Sequence, residues 1–253
     1  MKKLYIFVGK NKDPDGYWRR TLEQTVEQYA TVTDTPSQAD VIAVLGGDGT
    51  IMRAATEAIK YNVPVIGINL GRVGYMAELD KSEIPLIERY FKNEYTEEAR
   101  MMLSVKIGKR LLYSLNDAVV HSKNKHMSHL TLTCNGSVVN EYRGDGVIFA
   151  TPTGSTAYSM SAGGSAIDPR LKCICVTPIC PQSLSAKALV FAPDSKLELV
   201  AQTMDCVLTV DGNDPIPLER GASLKIKRSD KKLRMIKLKE DGFYEVLRKK
   251  NTI

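Results

Sequence analysis

The chain has 253 residues, of which 43% are hydrophobic and 25% charged, and a formal net charge of +6. That length supports one large domain or two modest ones, each with its own core, and the composition is that of an ordinary soluble globular protein rather than a disordered or fibrous chain. No run approaches the roughly 18 apolar residues of a membrane helix, and the basic residues are scattered instead of forming the aromatic-flanked arms of nucleic-acid binders.

A small anionic ligand, with a solvated basic tail at Lys231-Lys232 and Arg248-Lys249-Lys250, accounts for the charge. The N-terminal apolar run is about five residues and charged residues follow at once, so Leu4 to Val8 predicts a first strand and not a signal peptide. Five cysteines, an odd number, with Cys173, Cys175 and Cys180 close together, point to a reducing compartment and hence a cytoplasmic protein.

In chain order, Tyr17 to Tyr29 predicts a helix, Val41 to Leu45 a strand covered on both faces, and Thr50 to Tyr61 a helix with Ile51, Ala54, Ala55, Ala58 and Ile59 on one side. Val63 to Ile68 predicts another strand and Ile84 to Phe91 another helix. This β-α-β-α order implies a parallel sheet with ligands at the carboxyl ends of its strands. Near Arg100 the pattern turns to short β runs, at 103–107, 118–121, 130–134, 138–142 and 147–150, then at 174–177, 197–200, 207–210, 224–227 and 233–238. Asn135-Gly136 between two of them is a type I′ hairpin signal, and one short helix is expected after Thr156. The expected organisation is an α/β lobe of residues 1–99 plus about 235–253, and a mainly β lobe of residues 100–234. The apolar group Phe243, Tyr244, Val246 and Leu247 motivates the return of the C-terminal stretch to the first lobe.

Two segments carry the chemistry. Gly46-Gly47-Asp48-Gly49-Thr50 lies between an apolar strand and a helix. Its glycines let backbone approach a ligand closely, and the N–H groups of a helix start favour an anion. Thr50 is expected to cap the helix, and Arg53 to balance phosphate charge. Asp48 is a poor neighbour for phosphate unless it accepts the proton of an attacking hydroxyl; the bland alternative is an aspartate that merely suits the helix dipole. No Walker lysine follows, and Asn69-Leu70-Gly71-Arg72-Val73-Gly74 has only part of a dinucleotide fingerprint. The second segment, Thr151-Pro152-Thr153-Gly154-Ser155-Thr156-Ala157-Tyr158-Ser159-Met160-Ser161, follows Arg143-Gly144-Asp145-Gly146 and an apolar strand, and sets several hydroxyls around a tight turn.

Together these segments resemble the signature of the NAD kinases of bacterial, ATP- or polyphosphate-dependent type. The Gly-Gly-Asp-Gly-Thr loop is shared with diacylglycerol and sphingosine kinases and, in related form, with phosphofructokinases; the eleven residues from Thr151 are specific, with Met160 where Leu is common. Further matches are Asn69 to Tyr75 (Tyr75 for the usual Phe), Asn116-Asp117, Val176 to Ser185 (Gln182 for His) and Asp211-Gly212-Asn213 (Asn213 for Gln). The resemblance implies the two-domain NAD kinase/diacylglycerol kinase-like fold and phosphoryl transfer from ATP or polyphosphate to the adenosine 2′-hydroxyl of NAD. It implies Mg²⁺, or another divalent cation, held through the donor phosphates. Asp48 would be the base and Gly46, Gly47, Asp48, Gly49 and Thr50 the donor loop. Asn116 and Asp117 would bind adenosine, Thr153 would lie near adenine and Tyr75 would pack on the dinucleotide. Asp145, Thr156, Ala157, Tyr158 and Ser161 would hold the nicotinamide riboside half, helped by Arg143. Gly49, Arg53, Ser159, Met160 and Asn213 complete the NAD-binding set, and Cys180 would reach a neighbouring subunit's site, making a homodimer or homotetramer part of the architecture.

Other constellations point elsewhere with less force. Cys173 and Cys175 share a strand face, but zinc sites favour wider pairs with histidine partners. His121, His126 and His129 lack the helical spacing of ligands, and Trp18 reads as packing for the first helix. The competing functions are a lipid or sugar kinase of the same superfamily, for which no apolar membrane-facing stretch is visible, and a non-catalytic dinucleotide sensor, which the presence of Asp48 disfavours.

Overall fold

The computed structural model describes residues 1–71, 74–124, 126–240 and 242–251, the side chains of Lys250 and Asn251 excepted. Arg72 and Val73 of the Asn69–Tyr75 segment, and the Lys250 side chain of the basic tail, therefore lie outside the described residues. The chain divides into two compact units, Met1–Ala99 with Leu233–Ile253, and Arg100–Lys232.

The first unit opens with β1 (Lys2–Val8), α1 (Tyr17–Val26), β2 (Ala30–Thr33), β3 (Val41–Leu45), α2 (Asp48–Tyr61), β4 (Val65–Asn69) and the short β5 (Leu79–Asp80). Leu4 of β1 pairs with Val32 and Val41 on either side, and Ile42 of β3 with Val65, so β2-β1-β3-β4 is a parallel sheet. All five residues of β3 and of β4 are buried, as expected of strands covered on both faces. The predicted helix over 84–91 is instead a 3₁₀ segment, Lys81–Ile87, followed by one turn of α-helix, α3 (Glu88–Phe91). Pro85 within it cannot donate to an α-helical ladder, which favours the tighter form.

The second unit is β-rich. It contains β6 (Thr96–Ile107, entering from the first unit), β7 (Arg110–Ser114), β8 (Asp117–Ser122), β9 (Ser128–Cys134), β10 (Ser137–Gly144), β11 (Gly146–Ala150), α4 (Tyr158–Ser161), β12 (Ile174–Ile179), β13 (Leu189–Phe191), β14 (Leu197–Ala201), β15 (Cys206–Val210) and β16 (Ile216–Leu218). The final strand β17 (Ser223–Lys237) leads back to the first unit, where α5 (Phe243–Asn251) ends the described chain. One antiparallel sheet runs β13-β12-β11-β8-β15-β16, and β10-β9-β14-β17 forms a second with β6 and β7. Phe149, Val120, Leu132, Leu199 and Leu224 belong to the core that both sheets share. The predicted runs at 224–227 and 233–238 are one 15-residue strand; the charged stretch between them hid its continuity. Asn135 (φ 51) and Gly136 (φ 86) turn the β9–β10 hairpin in the left-handed region that a type I′ turn requires.

In the first unit, Met235 pairs in parallel with Val65, adding the end of β17 to the sheet. Buried Glu78 (4% exposed) fixes this end: its carboxylate pairs with the Lys237 ammonium and accepts the backbone N–H groups of Leu238 (2.7 Å) and Lys239 (2.8 Å). Removing a buried partner of this kind strands charge and amides together. Glu78→Ala should lower unfolding free energy by about 3 kcal/mol in urea denaturation; an unchanged midpoint would show that the carboxylate is dispensable.

Candidate active site

The turn from β3 into α2 carries Gly46 to Thr50. Gly46 adopts φ 154, and a Cβ there would meet Thr50 Cβ at 2.7 Å, so only glycine admits the approach. The helix begins at Asp48, earlier than its apolar periodicity suggests. Its N-cap is Gly47, without a side-chain cap. Thr50, expected as the cap, is instead a buried residue of the first turn whose Oγ1 accepts from Arg53 Nη2 at 3.3 Å. The reason is steric: Thr50 fills the space left bare by Gly9 and Gly46. Arg53 and Gly49 are exposed.

Asp48 is partly buried and tied to the segment after β4. Its Oδ2 accepts the Tyr75 backbone N–H at 2.9 Å and its Oδ1 that of Met76 at 3.0 Å. A Cβ on Gly74 would stand 2.1 Å from Asp48 Oδ1. Asn69 shapes the same segment, donating from Nδ2 to Gly71 O and Asp80 Oδ1 and accepting the Gly71 N–H. The Tyr75 ring lies 6.1 Å from that of Phe243, and its phenol is raised above the ordinary range by burial and then by the Asp48 charge.

In the second unit, a carboxylate that the sequence marked only within a triplet organises the turn on which the second motif docks. Asp211, at φ 49 after β15, accepts from Ser114 Oγ (2.8 Å) and from the backbone N–H groups of Leu115 (2.8 Å), Asn116 (2.9 Å) and Asp117 (3.1 Å). The second motif docks on this turn. Thr151 Oγ1 donates to Leu115 O at 2.6 Å, the Thr151 N–H donates to Asn116 O at 2.8 Å, and Gly154 is so close to Asn116 O that a Cβ would be 2.0 Å away. Asn116, Asp117, Thr151, Thr153 and Asn213 thus cluster at one end of the β12-β11-β8-β15 sheet, where Ala150 pairs with Asp117 and Val210 with Ala118. Thr156 and Ala157 follow on a 3₁₀ turn, and α4 lies over the sheet, with Tyr158 and Ser161 exposed and Met160 half-buried. Ser159 (1% exposed) bonds Thr177 Oγ1 at 2.8 Å, so it fastens α4 to β12 instead of facing a ligand.

Arg143, Asp145 and Cys180 sit at the opposite end of that sheet. The Asp145 N–H donates to Ile179 O at 3.0 Å, and the Gln182 N–H to Arg143 O at 2.8 Å. Asp145 and Thr151 flank β11, and at about 3.4 Å per residue their Cα atoms are about 20 Å apart. Arg143, Asp145 and Cys180 (φ 43) are exposed. Cys173 lies just before β12, its thiol lowered by a hydrogen bond with Cys175, whose own thiol that bond and burial push up. Of the histidines, His121 and His129 are half-buried on β8 and β9, and His126 is exposed.

Two family descriptions match this chain, the ATP-NAD kinase N-terminal domain over residues 5–95 and the ATP-NAD kinase C-terminal domain over residues 115–238. The chain belongs to the NAD kinase family. It is 38% identical to the NAD kinase of Carboxydothermus hydrogenoformans over 97% of this chain and 89% of the relative, and 37% identical to that of Thermoanaerobacter pseudethanolicus over 100% and 99%. Among solved structures, yeast NADH kinase complexed with NADH superposes with a TM-score of 0.87 at 22% identity, covering 100% of this chain and 88% of that one. An NAD kinase from Archaeoglobus fulgidus in complex with ATP gives 0.81 at 23%, covering 99% of each. These two likenesses bear out the expected two-lobe fold.

For an NAD kinase, two local constraints acquire measurable consequences. Gly74→Ala drives a methyl into the Asp48 carboxylate, and since a displacement of about 1 Å costs on the order of 10² in rate, kcat should fall by about that factor; unchanged kcat would mean that the contact yields freely. Asp117 (7% exposed) has its carboxyl raised to about 7, mostly by burial and then by the Asp211 charge. A carboxyl raised on folding contributes stability that is complete below its unfolded value, near 3.9, and is lost as pH rises through about 7. Asp117→Asn, isosteric and uncharged, should flatten the decline of Tm across that window; a variant with the wild-type slope would assign the decline to other groups.

Proposed function

We propose that this member of the NAD kinase family transfers the terminal phosphoryl group of ATP to the adenosine 2′-hydroxyl of NAD, giving NADP and ADP, with Asp48 as general base. The observation that carries this reading is the Asp48 carboxylate itself: at the start of a 14-residue helix after a glycine-rich turn, and held through both oxygens by backbone N–H groups. Each oxygen keeps a lone pair for a substrate hydroxyl, while the helix N-terminus favours the donor phosphates. The 2′-hydroxyl gives its proton to Asp48, its oxygen attacks the terminal phosphorus, and the bond to the ADP oxygen breaks. A divalent cation would arrive on the donor phosphates and neutralise their charge.

On this reading Asn116 and Asp117 bind adenosine, Thr153 borders adenine, Tyr75 packs on the dinucleotide, and Thr156, Ala157, Tyr158 and Ser161 contact the nicotinamide riboside half. Arg143, Asp145 and Cys180 serve the site of an adjacent protomer. Support for this comes from their position about 20 Å along β11 from Thr151 and from their exposure. The working enzyme is then a homodimer, or a tetramer built from such dimers. Its five free thiols suit the cytoplasm.

A coupled assay of the purified protein with NAD and ATP should yield NADP and ADP in equal amounts; ADP formation without NADP would reject the acceptor. Mixing two inactive variants tests the shared site. Asp48→Asn and Asp145→Ala, co-refolded, should regain activity, because one site of each mixed dimer keeps an intact Asp48 from one chain and an intact Asp145 from the other. Absence of recovery despite mixed-dimer formation would return Asp145 to its own chain's site.

A further inference from the structure

A concave cavity of about 830 Å³ lies within the second unit, bounded by strands β6, β7, β9, β14 and β17. None of its lining residues is assigned above to the dinucleotide or the phosphoryl donor. Lys106, Lys196, Lys225, Lys227 and Lys231 line it, against the carboxylates of Glu198 and Asp230 alone. Five cations against two anions leave an excess of three positive charges. Glu198 is engaged locally, accepting a hydrogen bond from Ser223 Oγ. All five lysines are exposed, and among the described residues none is in an ion pair. Lys231 instead rests over the Tyr113 ring, 4.2 Å from its centroid, which holds that cation at the rim of the cavity.

Like charges on adjacent strands repel: Lys225 pairs directly with Glu198, yet Lys227 continues the same face of β17 with no acidic partner. The volume lies within the 300–1,000 Å³ of small-ligand sites and is too confined for a duplex nucleic acid. No arginine lines the cavity, so recognition rests on lysines, mobile point charges that suit phosphate oxygens. The lysine stems, with Leu111 and the Tyr113 ring, supply apolar surface beside the ammonium groups.

We infer that this cavity is a second anion site, distinct from the donor loop, that binds a chain of three phosphoryl groups. Either a free inorganic polyphosphate or the triphosphate of a nucleotide presents that chemistry, its anionic oxygens complementing the excess of positive charge. The site is a binding site only: it lacks a carboxylate positioned as a base over a helix start.

Isothermal titration of the full-length protein with inorganic tripolyphosphate, without NAD, tests the inference. Wild type and Arg53→Ala should share a binding event that Lys225→Thr/Lys227→Thr weakens at least 10-fold, threonine being compatible with a strand. Lys106→Glu, at a different wall, should weaken it likewise, so the result does not hang on one variant. Titration with ATP separates the sources: equal affinity assigns the site to nucleotides, and much weaker affinity to the bare chain. AMP should not bind there. NADP formation by the double variant at saturating ATP, with no tripolyphosphate added, should stay within about twofold of wild type, so failure of the cavity and failure of the kinase reading give different results. Unchanged tripolyphosphate binding in both lysine variants, or equal binding of sulfate by wild type, would overturn the inference.

Discussion

The Asp48 carboxylate is held by the Tyr75 and Met76 amides, and the proposed catalytic architecture of the first unit depends on that pair of hydrogen bonds. On the proposed reading the carboxylate works beside donor phosphates that repel it, so it must be restrained from swinging toward solvent or pairing with Arg53. Two backbone donors provide the restraint without neutralising the charge, and they do so only because Gly74 has no Cβ to separate the segments. Asn69, by closing the Gly71 turn, holds the donors where the carboxylate needs them. As the proposed base, a carboxylate fixed this way is organised before substrate arrives, so little reorganisation remains for the reacting complex.

The second unit applies the same device with different atoms. There Asp211 is the fixed carboxylate, collecting one hydroxyl and three amides to define the turn that presents Asn116 and Asp117. Burial, and then the Asp211 charge, raise the Asp117 carboxyl to about 7, so a protonated form that can both donate and accept a hydrogen bond is present up to neutral pH. On the proposed reading that property suits an adenosine, which offers both kinds of partner. The β11 strand then acts as a spacer, with the Thr151 motif at one end and Asp145 beside Cys180 at the other.

Much of this was legible in the sequence where a physical rule is local. Continuous apolar runs marked β3 and β4, Asn135-Gly136 marked a hairpin, and the glycine-rich segment marked the turn from β3 into α2. Resemblance supplied the NAD kinase family, which the matched domains and relatives then established. What stayed hidden depends on contacts distant in sequence. Thr50 looked like a cap because its role in filling the space above Gly9 and Gly46 needs the packed sheet. Asp211 was visible only as part of a triplet, since its four donors come from residues about a hundred positions earlier; the Asp-Gly pair after a strand, with φ 49 at the aspartate, was the available signal. Ser159 belonged to the motif, but burial against Thr177 makes it structural. The continuity of β17 was masked because its middle is solvent-facing and charged.

The role of Asp48 is tested most directly by rapid-mix single-turnover measurement of Asp48→Asn, with NAD affinity measured on the same protein. Asparagine keeps the size and one acceptor oxygen but cannot take the proton. The account predicts NAD binding within a few-fold of wild type and a chemical step slower by roughly 10²–10⁴-fold. A chemical step at near wild-type rate with the variant folded and NAD bound would contradict it.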